Sequence, residues 1–266
     1  MRILCPTDLS HHSKIALEYA IHLANEFKAE LHIITAFEVI KRTGSLIDLE
    51  ETVRKNTEED LSQLIAGVSP LVTSDIMPVT KVVNGQAVDA ILNYAKVHDI
   101  DLVVMGTQGK NSLRKLLFGS VTRKMSQKSP IPVLAIPEQI AHKLTSNKLL
   151  LALDGKVIDK ENIFDIPKTI ANHLGLKIDI IHISEKEEEI PFDPFITAYL
   201  GDLIGEVIIK EGKDIVLEIK RYVEDHNVGM IIMIKRDKGF FKRLLTVGYS
   251  SEELARTNIP LMILPE

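Results

Sequence analysis

The chain has 266 residues, of which 45% are apolar and 26% charged, with a formal net charge of −5. That length suits one or two domains, and the composition excludes a disordered or low-complexity chain. The acidic balance excludes a broad electrostatic platform for nucleic acid, and the single cysteine, Cys5, excludes an intrachain disulfide framework. No apolar run approaches the roughly 18 residues of a membrane-spanning helix, so neither nucleic acid nor membrane is expected as a partner. Residues 1–6 are too short an apolar stretch for a signal peptide, which makes cytoplasmic residence the expectation.

Apolar runs at 3–6, 31–36, 81–84, 102–105 and 131–136 predict five strands. They are continuous rather than alternating, as strands covered on both faces should be. Ala16, Leu17, Ala20, Ile21, Ala24 and Phe27 form one helical stripe, and Val88, Ile91, Leu92 and Ala95 form another after Gly85. Strand and helix alternate, so the predicted class is α/β with a parallel sheet. The order then restarts, with runs at 149–154, 176–183, 207–212, 229–234 and 259–265. Arg114-Lys115-Leu116-Leu117 returns 128 positions later as Lys242-Arg243-Leu244-Leu245, and the Ile-Pro pair at 131–132 returns at 259–260 with the same offset. Two divergent copies of one unit are the economical explanation, giving domains at 1–140 and 146–266. The first 140 residues carry a net charge of −1 and the remainder −4.

Chemistry concentrates after the fourth strand. Met105-Gly106-Thr107-Gln108-Gly109 is followed nine residues on by Gly119-Ser120-Val121, a G-x2-G-x9-G-S pattern. Glycines there allow positive φ and remove the Cβ that keeps backbone away from a ligand. The pattern follows a strand's carboxyl end, where open α/β sheets bind ligands. Gly119-Ser120 opens a helical stretch over 121–128, whose unpaired N–H groups and dipole suit a phosphate. Lys110, Arg114 and Lys115 add local positive charge. It is neither a Walker A loop nor the dinucleotide fingerprint; the plainer alternative is a surface loop capped by Ser120. Pro6-Thr7-Asp8 ends the first strand on the same edge. Asp8 is either a ribose or base acceptor or the N-cap of the 10–27 helix.

These residues, with the closing Ile-Pro-Val-Leu-x-Ile-Pro strand, resemble the universal stress proteins over essentially the whole chain, specifically in the first half and weakly in the second. The resemblance implies two tandem Rossmann-like domains of the adenine nucleotide alpha hydrolase-like type, each a five-stranded parallel sheet with helices on both faces. It further implies ATP binding, with Pro6, Thr7, Asp8 and Ala36 at the adenosine end. Met105 and Gly106 would continue the wall, and Gly109, Gly119, Ser120 and Val121 would hold phosphates and ribose. Mg²⁺ is expected only as a companion of the triphosphate, and hydrolysis is expected to be slow or nil, since no residue stands out to activate water.

In the second half the 128 offset turns Gly106 into Ile234, Gly109 into Asp237, Gly119 into Val247 and Ser120 into Gly248. β-Branched bulk replaces glycine, and Asp237 would repel a phosphate by about 4 kcal/mol at 4 Å and an effective dielectric of 20. Asp154 keeps the place of Asp8. The second half is therefore expected not to bind ATP in the family manner and to act as the pseudo-symmetric partner in an intrachain dimer. The closing strands are the expected pairing edges; whether two tandem chains form a further homodimer is left open, as is the protein partner. Two other functions stand beside the nucleotide-dependent sensor or adaptor: an interaction scaffold independent of nucleotide, and a weak nucleotide-dependent hydrolase. Asp8, His11 and His12 fit a polar helix start better than a metal site, His32 and His182 fit satisfied strand histidines, and the apolar 191–204 segment fits packing on the second sheet. Cys5 is expected to be buried and inert.

Overall fold

A computed structural model describes residues 1–39, 49–107, 118–140, 146, 148–155, 158, 161–184, 194–211, 215–236 and 258–266. Gly109, Lys110, Arg114, Lys115, Phe192, Asp237, residues 242–245, Val247 and Gly248 lie outside the described residues. In the first half β1 (Arg2–Pro6), α1 (His11–Phe27), β2 (Glu30–Phe37), α2 (Leu49–Val68), β3 (Val79–Asn84), α3 (Ala87–Val97), β4 (Leu102–Gly106), α4 (Ser120–Lys128) and β5 (Val133–Ile136) follow in order. The second half runs β6 (Lys148–Leu153), α5 (Asp165–Leu174), β7 (Lys177–Ser184), α6 (Pro194–Leu200), β8 (Ile204–Glu211), α7 (Ile215–Asp225), β9 (Val228–Ile234) and β10 (Leu261–Leu264). Among the described residues the strands form one ten-stranded sheet in the order β3-β2-β1-β4-β5-β10-β9-β6-β7-β8.

Within each half every pair is parallel, and each half repeats the 3-2-1-4-5 order of a doubly wound sheet. The halves join through one antiparallel pair, with Leu261 opposite Ala135, Met262 opposite Leu134 and Ile263 opposite Val133. The closing strands thus pair with each other inside the chain, as expected of them, and so join the two five-stranded halves into one continuous sheet. The central strands β1, β4, β5 and β10 are buried, as their continuous apolar runs predict. The outermost strands depart from that pattern. β3 and β8 are largely exposed, because an edge strand has a neighbour on one side only.

One aliphatic cluster runs along a single face through both halves, from Ile3, Leu31 and Leu102 past Leu134 and Met262 to Leu149 and Ile180. The stripe of α1 packs into it. So do Ile196 and Leu200 of α6, with Phe195, Tyr199 and Leu203 at its margin, which makes the apolar 194–203 stretch core packing. The opposite face is split, with α3 and α4 over the first half and α7 over the second. α1 ends at Lys28 in the left-handed region (φ 48), whose N–H donates to Ala24 O.

A polar cluster sits at the amino-terminal edge of each half. His32 is 3% exposed; its Nε2–H donates to Glu30 Oε1 at 3.0 Å, and its Nδ1 accepts from the Tyr94 hydroxyl at 3.0 Å. Tyr94 stacks on His98. In the second half Asp179, 1% exposed, accepts from the Glu206 N–H (2.7 Å), the Tyr222 hydroxyl (2.8 Å) and Lys148 Nζ (2.9 Å). Tyr222 stacks on His226. Tyr94 and His98 recur as Tyr222 and His226 at the 128 offset. Strand register pairs His32 with Leu4 and Asp179 with Leu150, so Asp179 is the counterpart of His32. His182 stands elsewhere: it pairs with Leu153, where Thr35 stands in the first half. Its Nδ1–H donates to Leu153 O at 3.1 Å, and its buried Nε2 has no hydrogen-bond partner among the described residues, whereas both ring nitrogens of His32 are bonded.

Candidate functional site

The site grows from the carboxyl ends of β1, β2 and β4. Thr7, just past β1, is 5% exposed. Its N–H donates to Ile34 O at 2.8 Å, and its carbonyl accepts from Thr35 Oγ1 at 2.6 Å. Its own hydroxyl lies 2.9 Å from Ser13 Oγ and accepts from the Leu9 N–H at 3.0 Å. Leu9 adopts φ 61, in the left-handed region, which turns the chain sharply from strand into helix. Exposed Asp8 therefore stands at the rim of the edge, one oxygen accepting from the Ser10 N–H at 3.1 Å. The helix N-cap is Ser10, which accepts from the Ser13 N–H at 3.2 Å; Asp8 makes an Asx turn in front of it rather than capping α1.

The matching element comes from β4. The Leu4–Val103 register, continued along the strands, sets Thr7 level with Gly106. Met105 is buried (5% exposed) under α3 and α4. The Gly106 carbonyl accepts from Thr122 Oγ1 at 2.8 Å, and the Gly119 N–H donates to Thr107 O at 2.6 Å. Those two bonds hold the start of α4 against the end of β4, although the bonded residues stand 12 and 16 positions apart in the chain. Gly119 is the N-cap of α4, at φ −63 and ψ 166. Neither Gly106 nor Gly119 is among the positive-φ residues, so the expectation that these glycines supply left-handed backbone is corrected. A glycine N-cap has no side chain to bond the first-turn N–H groups, which leaves them for solvent or an anion. Ser120 is exposed in that first turn, and Val121 is half-buried against the core under α4.

Pro6, Thr7, Asp8, Met105, Gly106, Gly119, Ser120 and Val121 thus lie along one sheet edge, and half-buried Ala36 joins them from the end of β2, where it pairs with Val83. Gly109 is outside the described residues. Three contributors escaped sequence reasoning. Thr107 and Thr122 look like ordinary polar residues until the fold brings them to Gly119 and Gly106. Phe118, directly before Gly119, is 1% exposed and belongs to the buried cluster of Met233, Leu261 and Ile263 from the second half. The second half therefore anchors the chain that leads into α4.

At the second half's carboxyl edge the same positions carry other chemistry. Apolar Leu153 stands where Thr7 does. Asp154 Oδ2 lies 3.5 Å from Nε of Arg236, a residue 9% exposed just past β9. Arg236 also pairs with Glu266 beyond β10. One guanidinium so ties together the ends of β6, β9 and β10. The first-half counterpart of Glu266, Glu138, lies 3.6 Å from His12. Among the described residues no cluster of three His, Cys, Asp or Glu side chains could hold a metal, and no helix is long and apolar enough to cross a membrane.

The universal stress protein family model matches residues 1–137. Universal stress protein YxiE of Bacillus subtilis is 32% identical over 144 residues, spanning 51% of this chain and 97% of that protein. Universal stress protein MJ0577 of Methanocaldococcus jannaschii is 30% identical over 152 residues, spanning 51% of this chain and 93% of that protein. These relatives are about half as long as this chain. A universal stress protein structure from Archaeoglobus fulgidus matches all of this chain and 96% of its own, with a TM-score of 0.71 at 23% identity; at that identity the likeness is one of fold, a tandem pair in both. The chain therefore belongs to the universal stress protein family.

Proposed function

We propose that the first half binds an adenine nucleotide, ATP, and that the protein works in the cytoplasm as a nucleotide-dependent sensor or adaptor in stress adaptation. The observation that carries this reading is the convergence at one sheet edge of an exposed carboxylate, Asp8, with an α4 amino terminus capped by glycine. Asp8 offers acceptors to ribose hydroxyls or a base amino group. The first-turn N–H groups of α4 and the Ser120 hydroxyl offer donors to phosphate oxygens, with the positive end of the helix dipole behind them. The residues fit the nucleotide: acceptors at one end, donors at the other, backbone without Cβ between them. Mg²⁺ would accompany the triphosphate by binding its oxygens. Turnover is slow or nil in this reading, since no nucleophile–base pair is assigned.

The second half takes no nucleotide in this reading, because Arg236 already engages Asp154 and apolar Leu153 replaces Thr7. The test is the nucleotide content of freshly purified full-length protein, measured by chromatography with mass detection after denaturation, alongside calorimetric titration with ATP and Mg²⁺. One equivalent per chain, lost in Gly109→Val, is the expected result. Two equivalents would overturn the assignment to the first half alone. No nucleotide and no heat on titration would overturn the ATP reading in favour of a scaffold.

A further inference from the structure

The two outer edges of the ten-stranded sheet are not alike. At the first, the 20-residue helix α2 lies over β2 and β3. At the second, the described residues at the matching place in the chain are the 7-residue α6 and a short 3-10 turn leading directly into β8. β8 therefore ends the sheet with one face poorly covered: Val207 is 48% exposed and Ile209 51%. Among the described residues no strand pairs with its outer edge. An eight-residue edge strand with unpaired backbone groups and exposed β-branched side chains is a template for another strand.

We propose that β8 pairs antiparallel with β8 of a second copy of this chain, about a two-fold axis through Ile208. The sequence Ile204-Gly205-Glu206-Val207-Ile208-Ile209-Lys210-Glu211 is self-complementary about that residue. Glu206 stands opposite Lys210 of the second copy and Lys210 opposite its Glu206, so two ion pairs form. Val207 stands opposite Ile209 and Ile209 opposite Val207, which covers the exposed apolar residues with each other. Directly opposed side chains in an antiparallel pair share a face, so a two-fold register must centre on a residue. Centring on Val207 or Ile209 places Lys210 opposite Ile204 or Ile208 and forms no ion pair. Glu206 lies 3.5 Å from Lys148 and beside the Tyr222 hydroxyl, and Lys210 lies 3.8 Å from Glu218; their side chains are 62% and 41% exposed. The outer strand of the first half lacks this property: Lys81, its one charge, meets itself or an apolar residue in the registers centred on Lys81 and Val82, and α2 lies beside it. The join repeats what β5 and β10 do inside the chain, where two parallel half-sheets meet through an antiparallel pair. It also closes on itself, since an isologous contact uses the same surface on both copies.

Sedimentation velocity of the full chain is expected to give a species of twice the chain mass that weakens as salt rises. Lys210→Glu sets four carboxylates along the seam and is expected to weaken association at least about tenfold; the swap Glu206→Lys with Lys210→Glu restores it. Thermal melts accompany each variant to show that it is folded. Ile208→Cys reads the register without depending on those charges. On the axis it faces its own copy, with Cα atoms about 4.5–5.5 Å apart, within disulfide range, and is expected to cross-link under mild oxidation. Val207→Cys is not expected to do so. Native Cys5 is fully buried and contributes no background. A monomer at all concentrations, a dimer indifferent to Lys210→Glu, or cross-linking through Val207→Cys instead of Ile208→Cys would each overturn the proposal.

Discussion

The carboxyl edges of the two halves have the same strand order beneath them and opposite uses of charge above. In the first, Thr7 and Thr122 spend their hydroxyls on fastening backbone, and the acidic Asp8 stands at the rim in front of a glycine-capped helix. In the second, Arg236 lies buried between Asp154 and Glu266. An aspartate stands at the same place in both halves, and in the second it lies beside a buried guanidinium. A doubly wound sheet is held by its buried strands, so its carboxyl edge is free to diverge, and a guanidinium can bridge strand ends that a ligand would otherwise face. The amino-terminal edges tell the same story in another chemistry, with His32 in one half and Asp179 in the other, each bonded to a tyrosine that stacks on a histidine.

The largest expected effect separates the amino-terminal clusters. Asp179→Ala leaves the Lys148 ammonium, the Tyr222 hydroxyl and the Glu206 amide without their common acceptor, and is expected to cost about 3–5 kcal/mol, roughly 10 °C or more in Tm by calorimetry. His32→Ala removes a neutral group and is expected to cost about 1–3 kcal/mol. Equal losses would break the contrast between the two clusters.

Next comes Phe118→Ala. Deleting a buried ring typically costs about 3–5 kcal/mol, the lower part of that range where the site can collapse. Because Phe118 sits in the second half's cluster yet precedes Gly119, nucleotide affinity is expected to fall together with Tm. An unchanged affinity in the folded variant would show that the second half does not position α4. Asp8→Ala and Asp154→Ala sharpen the contrast between the carboxyl edges. The first is expected to weaken ATP by about 1.5–3 kcal/mol, roughly ten- to a hundredfold, in calorimetric titration. The second should leave affinity within about twofold and shift stability by about 1 kcal/mol. Reversed outcomes would move the site to the second half.

The smallest effect is in pH. Burial lowers the His32 pKa below its ordinary 6.5, although the Glu30 carboxylate opposes the shift. Its contribution to stability is thus full above the unfolded value and is lost as pH falls through the folded one. For Asp179, burial pushes the pKa up, but the Glu206 amide, Lys148 and Tyr222 outweigh it and hold the carboxyl below 3.8. Its contribution persists until the pH falls below that value. Mild acidification is therefore expected to loosen the first half before the second. Hydrogen exchange at pH 5 and 7 should show protection falling first in β1–β3, and the difference should shrink in His32→Gln. Loss beginning in β6–β8 would contradict the assignment.

Much of the fold is legible in the sequence alone. Continuous aliphatic runs separated by amphipathic stripes specify buried parallel strands with helices between them, and the offset of 128 between Arg114-Lys115-Leu116-Leu117 and Lys242-Arg243-Leu244-Leu245 marks a duplication. That the residues ending β1 and β4 share one sheet edge was legible because each follows the carboxyl end of a buried strand. Local patterns carry such information because burial periodicity and turn chemistry act over a few residues.

What the tertiary structure decided involves residues distant in the chain. That β5 and β10 pair antiparallel, making one sheet of two, depends on which edges meet. That β3 and β8 are outermost, and so largely exposed, depends on strand order. The pairing of Asp154 with Arg236 and of Asp179 with Lys148 and Tyr222, and the reach of Phe118 into the other half's core, join residues 31 to more than 100 positions apart. No periodicity encodes these contacts, because the energy of a salt bridge or a buried ring depends on distance and solvent access in space, and those exist only once the sheet has formed.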